Sequence, residues 1–346
     1  MRAKDNSPQL DSPAGKKSKK RRKDDKISVF SIGAKLVIII SFLVVLSLGS
    51  ITVLVSYLVT QDLRLAAEDN NFEINRRSAV EAEKTFESIM SHCSILKHVI
   101  NLTGEKSDLT VNISKTFFND NPEIAAIAFF DRDSQVYNYL FNDDFFSSRD
   151  IDKELAENWF YYNSFYFERE DLQSVIVNVT SYFSIHKLGF IFYQDEAATA
   201  VLFSPETLTK SFSFGTNKSY LINGSNDILK HPDFEMVSNN TNITRRDFTR
   251  TMRRTAQRNL QTFYTDEDGE VYFGAFAKLN TGGVVVITSI GYDKVFEGIV
   301  ATTWRNIYLT VSVLFISILF VWFYSKSISI PLKRLAIAAQ NRRRCF

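Results

Sequence analysis

QTFYTDEDGEVYFGAFAKLNTGGVVVITSIGYDKVFEGIVATTWRNIYLTVSVLFISILFVWFY, residues 261–324, decides the fold of this chain. Its first half holds three runs rich in Val, Ile, Phe, Tyr and Thr, separated by DEDG and NTGG. Asp-Gly and Gly-Gly turns favour antiparallel hairpins, so QTFYT, VYFGAFAKL and VVVITSI predict a three-stranded meander. From Tyr292 the pattern turns helical, and Ile307 to Tyr324 is eighteen residues without a charge. As helix that is about 27 Å, close to the roughly 30 Å of a hydrocarbon core. A sheet domain therefore runs straight into a membrane crossing.

Working outward, Trp304, Tyr308, Trp322 and Tyr324 sit near the two ends of that crossing, where amphipathic rings prefer the interface. Lys326, Lys333 and Arg334 follow with no acid among them, which places that end in the cytoplasm. Pro331 suits the first turn of a new helix, and Leu332, Leu335 and Ala339 then form an a/d-like stripe. Trp304, Pro331, Leu332 and Leu335 are thus the candidate relay residues; the plainer reading is an anchor with a basic stop-transfer flank. Leu36 to Val59 gives twenty-four uncharged residues for a second crossing, too long for the 7–15 apolar residues of a cleaved signal.

The overall charge of +2 conceals a division. Residues 1–35 and 325–346 together carry +13, and the remainder carries −11. Basic flanks on both crossings put both termini in the cytoplasm and residues 60–304 in the periplasm of a cell with an inner membrane. Lys16–Lys23, KKSKKRRK, is a topology signal in contact with anionic lipid, and a membrane helix a dozen residues on argues against a nucleic-acid arm. Cys93 and Cys345 fall on opposite sides of the membrane, so no disulfide forms within one chain; a buried Cys93 is favoured over a dimer cross-link.

The expected organisation is a basic tail (1–35), a first span (36–59), a stalk (60–112), a membrane-distal module (113–204), a membrane-proximal module (205–304), a second span (305–324) and a closing helix (325–346). In the stalk, Leu65, Phe72, Ala79, Phe86, Cys93 and Ile100 recur every seven residues, with Ala82, Ile89 and Leu96 at the companion spacing. That seam either pairs with a second copy in a homodimer or packs on its own domain. The distal module reads as a helix near 113–122, strands at 124–131 and 136–141, a helix over 150–170 with Asp150 a possible cap, and three strands, SVIVNVTSYFSI, LGFIFYQ and TAVLFS. The proximal module reads as a helix start at Pro205, a hairpin around NGSND, a basic helix over 244–260 and the meander. Each module is an antiparallel sheet with helices, so the class is α+β.

No enzyme constellation is present in the sequence. His92, His98, His186 and His231 lack partners at metal-ligand spacing, and the acids of DEDG lack the twelve-residue calcium-loop pattern. Neither a cofactor nor a metal is expected, and His231 is read as turn packing. The ligand candidates are aromatic: Trp159, Tyr161, Tyr162 and Tyr182, with Asp195 as the acid, would suit a small amphiphilic or cationic molecule. The alternative is aromatic core packing. Seven Asn-x-Ser/Thr triplets, beginning at Asn101 and ending at Asn242, are read as composition.

The phrases GAKLVIIISFLVVLSLGSITVLVSYLV (33–59), LFSPETL (202–208), SYLINGSNDILKHPDFE (219–235), YTDEDGEVYFGAFAKL (264–279) and YDKVFEGIVATTWRNIYLT (292–310) resemble the sensory half of spirochaete membrane-bound adenylate cyclases. The ectodomain resembles the PAS-like double-Cache class of extracytoplasmic sensors, and 325–339 is similar to the opening of a HAMP relay. This resemblance implies a PAS-like double-Cache fold with a long first helix between two spans, a periplasmic small-molecule ligand and a signal passed inward. It also implies a Trp-Tyr pair matched here by Trp159 with Tyr161 or Tyr162, although Ala156 and Glu157 stand where a carboxylate-gripping Arg is expected. The cyclase domain has no room before Phe346, and QNRRRCF does not continue a HAMP helix, which suggests a truncated or frame-shifted gene. The outer architecture equally suits the input part of a chemoreceptor or histidine kinase, and a non-signalling surface protein is the third reading.

Overall fold

The computed structural model describes residues 32–104, 107–131, 136–163, 173–194, 197–206, 208, 212, 217–266 and 269–343. The chain divides into a folded unit, Thr52–Tyr308, and a unit made of its two ends, Met1–Ile51 and Leu309–Phe346. Helix α1, Ile32–Thr103, opens the described chain, and α8, Tyr292–Arg343, closes it. Both are long and apolar enough to cross a membrane, and the side chains of those stretches, Phe42, Val53, Phe315 and Phe320 among them, are exposed.

Inside the folded unit are two five-stranded antiparallel sheets. The first contains β1 (Ile124–Phe130), β2 (Val136–Phe141), β3 (Ser174–Asn178), β4 (Leu188–Gln194) and β5 (Ala197–Phe203), in the order β2-β1-β5-β4-β3. The second contains β6 (Lys218–Ile222), β7 (Ile228–Lys230), β8 (Asn259–Thr265), β9 (Val271–Lys278) and β10 (Val285–Gly291), in the order β7-β6-β10-β9-β8. The expected meander is β8-β9-β10, paired from Asn259↔Ala277 to Val285↔Lys278. Its last turn uses Gly282 and Gly283, both at positive φ (65° and 63°), a conformation open to residues without a Cβ. The architecture is α+β, as the sequence predicts.

The long helix backs both sheets. Ala82, Phe86, Ile89, Cys93, Leu96 and Ile100 of α1 are buried in one core with Ile127, Phe129, Phe190 and Phe203 of the first sheet and Leu221 and Val286 of the second. From Ala79 to Ile100 the seven-residue seam thus packs on its own domain, whereas Leu65 at its start is exposed. Cys93 is fully buried, and burial pushes its thiol far above the usual range, so it is no cross-linking site. Toward the exposed apolar stretch of α1 the same helix face turns polar. Asn75 donates from Nδ2 toward the carbonyls of Ala275 (3.2 Å) and Val286 (3.0 Å), and Asn71 points the same group toward the Phe273 and Thr288 carbonyls. Glu83 accepts from the amides of Asn280 and Thr281 and from the Thr281 hydroxyl.

The outer face of each sheet has its own core. The first sheet carries α3 (Asp143–Ser148) and α4 (Lys153–Tyr162) over Ala126, Ala128, Ile191 and Leu202. The second carries α6 (Phe234–Ser238) and α7 (Asp247–Arg254), with Phe248 and Met252 seated on Phe276 and Ile287.

Several boundaries differ from expectation. The 60–112 stalk is two helices: α1 stops at Thr103, Gly104 takes φ 84°, and α2 (Asp108–Asp120) restarts with Ser107 Oγ accepting from the Thr110 amide. Helix α4 is capped by Asp152, whose carboxylate accepts from the Glu154 amide, whereas Asp150 sits at φ 52° outside it. Residues 164–170 of the expected 150–170 helix lie outside the described residues. SVIVNVTSYFSI is strand only to Asn178; the Asn178 Oδ1 accepts from the Thr180 amide and turns the chain into α5 (Thr180–Phe183). The basic helix is Asp247–Arg254 instead of 244–260, because Asn259 and Leu260 pair with β9. The helix expected at Pro205 falls mostly outside the described residues. Pro331 does not start a new helix: it lies within α8, where its missing N–H costs one bond, to the Ser327 carbonyl, and the helix continues on both sides. Leu332 and Leu335 belong to the same helix, and their side chains lie outside the described residues.

Candidate functional site

Near the far end of α1 the tips of three strands leave a cleft of about 650 Å³. Ser94, Lys97, His98 and Asn101 line it from α1, Asp131 from the end of β1, Gln194 from the end of β4 and Ala197 from the start of β5. These positions follow from the helix repeat. Leu96 and Ile100 point into the core, so Lys97 and Asn101, about 100° further round, and His98, about 200° round from Leu96, lie off the buried face and reach the rim. Ser94 Oγ has the Met90 carbonyl (2.7 Å) and Gln194 Oε1 as alternative acceptors for its one hydrogen, and the second choice ties α1 to the tip of β4. An amine, an imidazole, a carboxylate and two amides thus converge on an apolar floor that includes Ile95 and Phe130. That set can hold a small polar or zwitterionic molecule, and it contains no nucleophile paired with a base.

The aromatic residues singled out from the sequence do not come together. Trp159 is buried; it packs edge-to-face on Phe160 and lies over Gly189, where an added Cβ would stand 2.6 Å from its ring. Tyr161 and Tyr162, the next two residues of α4, point outward and are 69% and 72% exposed. Tyr182 sits on α5, also exposed. Trp159 belongs to the core on the outer face of the first sheet, whereas the cleft opens on the α1 side. Asp195 lies outside the described residues, directly after Gln194 of the cleft. The cleft residues Lys97, His98 and Asn101 were not recognised as a site because they flank the apolar seam and form no ligand motif: His98 lacks a partner at metal-ligand spacing, and Asn101 stands out only as the start of an Asn-x-Thr triplet. The one available signal is a polar cluster at the end of an otherwise apolar stripe.

The two sheets meet at a polar junction. Asn178 Nδ2 donates to the carbonyls of Ile228 and Val237, both at 2.8 Å, and His186 Nε2 lies 3.0 Å from the Leu229 carbonyl. The Gly282 amide donates to Ser174 Oγ at 2.7 Å. Burial lowers the His186 pKa, with Lys230 and Lys187 adding to the effect. Lys187, next in the chain, is only 2% exposed; its ammonium lies 3.9 Å from the Phe145 ring centroid and donates to Ser204 Oγ. Burial, helped by Arg149, brings its pKa down to about 7 against the opposing pull of Glu206. His231 fits its reading as turn packing, since its Nδ1 accepts from the Asp233 amide. Among the described residues no three His, Cys, Asp or Glu side chains gather as a metal site.

Trp304 and Tyr308, one turn apart on α8, are exposed with ring centroids 5.9 Å apart. At the other end of this apolar stretch the Lys326 ammonium lies 5.2 Å from the Trp322 ring. Such pairs suit a membrane interface.

No family model matches this chain, and no curated protein matches it. Solved structures do. The periplasmic sensory domain of the Campylobacter jejuni chemoreceptor Tlp1 aligns with a TM-score of 0.47 at 11% identity, over 68% of this chain and 98% of that one. The ligand-binding domain of C. jejuni Tlp3, solved with L-valine, gives 0.43 at 12% identity, over 68% and 97%. An extracellular ligand binding receptor from Desulfohalobium retbaense gives 0.44 at 13% identity, over 63% of this chain and only 39% of the receptor.

Proposed function

We propose that this chain is a transmembrane receptor for a small periplasmic molecule, set in the inner membrane by two spans with both termini in the cytoplasm. One observation carries the reading: the folded unit begins and ends in helices that are themselves the membrane-type segments. Helix α1 holds an exposed apolar stretch and a buried seam in one helix, and Gly291 of β10 is followed directly by Tyr292 of α8. An anchor alone needs neither feature. The basic ends and acidic middle support the sidedness.

In this reading the cleft around Lys97, His98 and Asp131 takes the ligand, and the strand tips that line it communicate through the first sheet with the junction at Asn178 and His186. A ligand biases such an arrangement only by its differential affinity for two states, typically about 1–3 kcal/mol. We assign the output to the nucleotide-cyclase class, on the resemblance of the quoted phrases to spirochaete cyclases and of 325–339 to a HAMP opening; residues 1–346 supply the receptor part. A homodimer with lipid around its spans is the working form. The input part of a chemoreceptor or histidine kinase is the second reading, which the same outer architecture serves.

The test uses the full chain in membranes. Protease added to intact spheroplasts should cut between residues 60 and 304, and a metabolite panel should contain a compound that raises the thermal stability of the purified protein. Lys97→Ala with His98→Ala should abolish that shift. A chain wholly resistant outside, or a panel without any shift, refutes the assignment.

A further inference from the structure

A second recess, separate from the first cleft, lies between α2 and β2. Its volume is about 600 Å³. Strand β2 is the edge of its sheet, bonded only to β1, and among the described residues no strand lies beyond it. Thr110, Ser114 and Phe118 repeat at four-residue spacing along α2, so they form one stripe facing the recess. Asn138 is the register partner of Phe129, whose side chain is in the core beneath α1; Asn138 therefore points to the same side of the sheet, under α2.

Ser114 Oγ and Asn138 Nδ2 are both buried and have no hydrogen-bond partner. Each such atom costs free energy, and two of them from different elements lining one recess call for a common partner. The rest of the wall narrows the chemistry. Lys115 and Asp144 both border the recess, and Phe118 and Leu140 supply apolar surface. A carboxylic acid would face Asp144, and an amine would face Lys115 and the amide donor. A hydroxyl both donates and accepts, so a molecule that carries several suits Asn138, Ser114 and Asp144 alike.

We propose that the α2–β2 recess is a second ligand site, for a small neutral polyhydroxylated molecule such as a monosaccharide. The site goes beyond the receptor reading and stands whether or not the first cleft binds anything. The probes are D-glucose, D-galactose and D-ribose, titrated onto the full chain in detergent and read by calorimetry and thermal shift. At least one should bind, and Asn138→Leu should weaken it about tenfold or more, as should Ser114→Ala to a smaller degree. Because Asn138→Leu removes an unsatisfied group, it should leave the unliganded protein as stable as wild type or more so, which separates lost binding from lost folding. Lys97→Ala, in the other cleft, should leave the sugar affinity unchanged. No binding by any of the three sugars overturns the proposal, as does binding indifferent to Asn138→Leu and Ser114→Ala. Sugar binding lost on Lys97→Ala would place the ligand in the first cleft and likewise overturn it, while leaving the receptor reading intact.

Discussion

Asn75 offers the sharpest test of how the long helix is held. Its side-chain nitrogen has three acceptors within reach, the Ala275 and Val286 carbonyls and Thr288 Oγ1 at 3.2 Å, but only two hydrogens. Asn75→Ala therefore removes two full bonds, each about 1 kcal/mol net, and leaves carbonyls that belong to paired strands. The expected loss is about 2 kcal/mol. For a folded unit of about 250 residues that lowers the melting temperature by about 4–8 °C. Asn75→Asp keeps the shape and reverses the polarity, so a buried carboxylate would face three oxygens. It should cost distinctly more than Ala at pH 8. The introduced acid is neutral-preferring in the native state, so its pKa lies above that of the unfolded chain. The excess cost is thus present above that raised value and relieved as pH falls through it, when the acid becomes a donor. Thermal and urea unfolding of the full chain in detergent, followed by tryptophan fluorescence, measures both. If Ala costs under about 0.5 kcal/mol, or Asp is no worse than Ala at pH 8, the polar attachment of α1 is not what holds it.

Other outcomes follow from single residues. Lys187→Met should raise stability at pH 6–7 and flatten its pH dependence. The native pKa of about 7 lies below the ordinary 10.5, so in wild type the unfolded chain holds the extra proton between these values and stability rises with pH there, by at most about 1.4 kcal/mol per unit. A pH profile of melting temperature from 6 to 10 for both proteins checks this, and parallel profiles would contradict it. Gly189→Ala should cost about 1–3 kcal/mol, because the new methyl meets the Trp159 ring at 2.6 and 2.8 Å; Trp159→Leu in the same chain should recover part of the loss. Cys93 should resist iodoacetamide in the native protein and react at once in urea, as mass spectrometry would show.

How much of this was legible in the sequence depended on whether a residue's role is local. The β8-β9-β10 meander and the start of α8 at Tyr292 were readable, because Asp-Gly and Gly-Gly turns and a charge-free run act within a few residues. The seam from Ala82 to Ile100 was readable as periodicity, but not what it packs against, since Phe190, Phe203 and Val286 lie about a hundred residues or more away. Nothing in the sequence marks Asn71 and Asn75 as interior, yet they are 0% and 1% exposed. Trp159 and Tyr161 were near neighbours in one phrase, and two helical steps, about 200°, sent one inward and the other out. The first cleft was invisible because its residues are gathered from α1, β1, β4 and β5, each unremarkable alone.

The change of character along the inner face of α1 has a mechanical meaning. Around Asn71, Asn75 and Glu83 the helix is keyed to the second sheet by directional bonds that admit one register, whereas from Phe86 to Ile100 its buried face rests on rings and aliphatic chains, with polar ties only at the flanks, from His92 to Asn121 and Ser94 to Gln194. A push applied at the Lys97 end would be taken up as glide along the upper half and stopped at the keyed half. The second sheet would then receive it as a twist about the asparagines, with no lengthwise stroke.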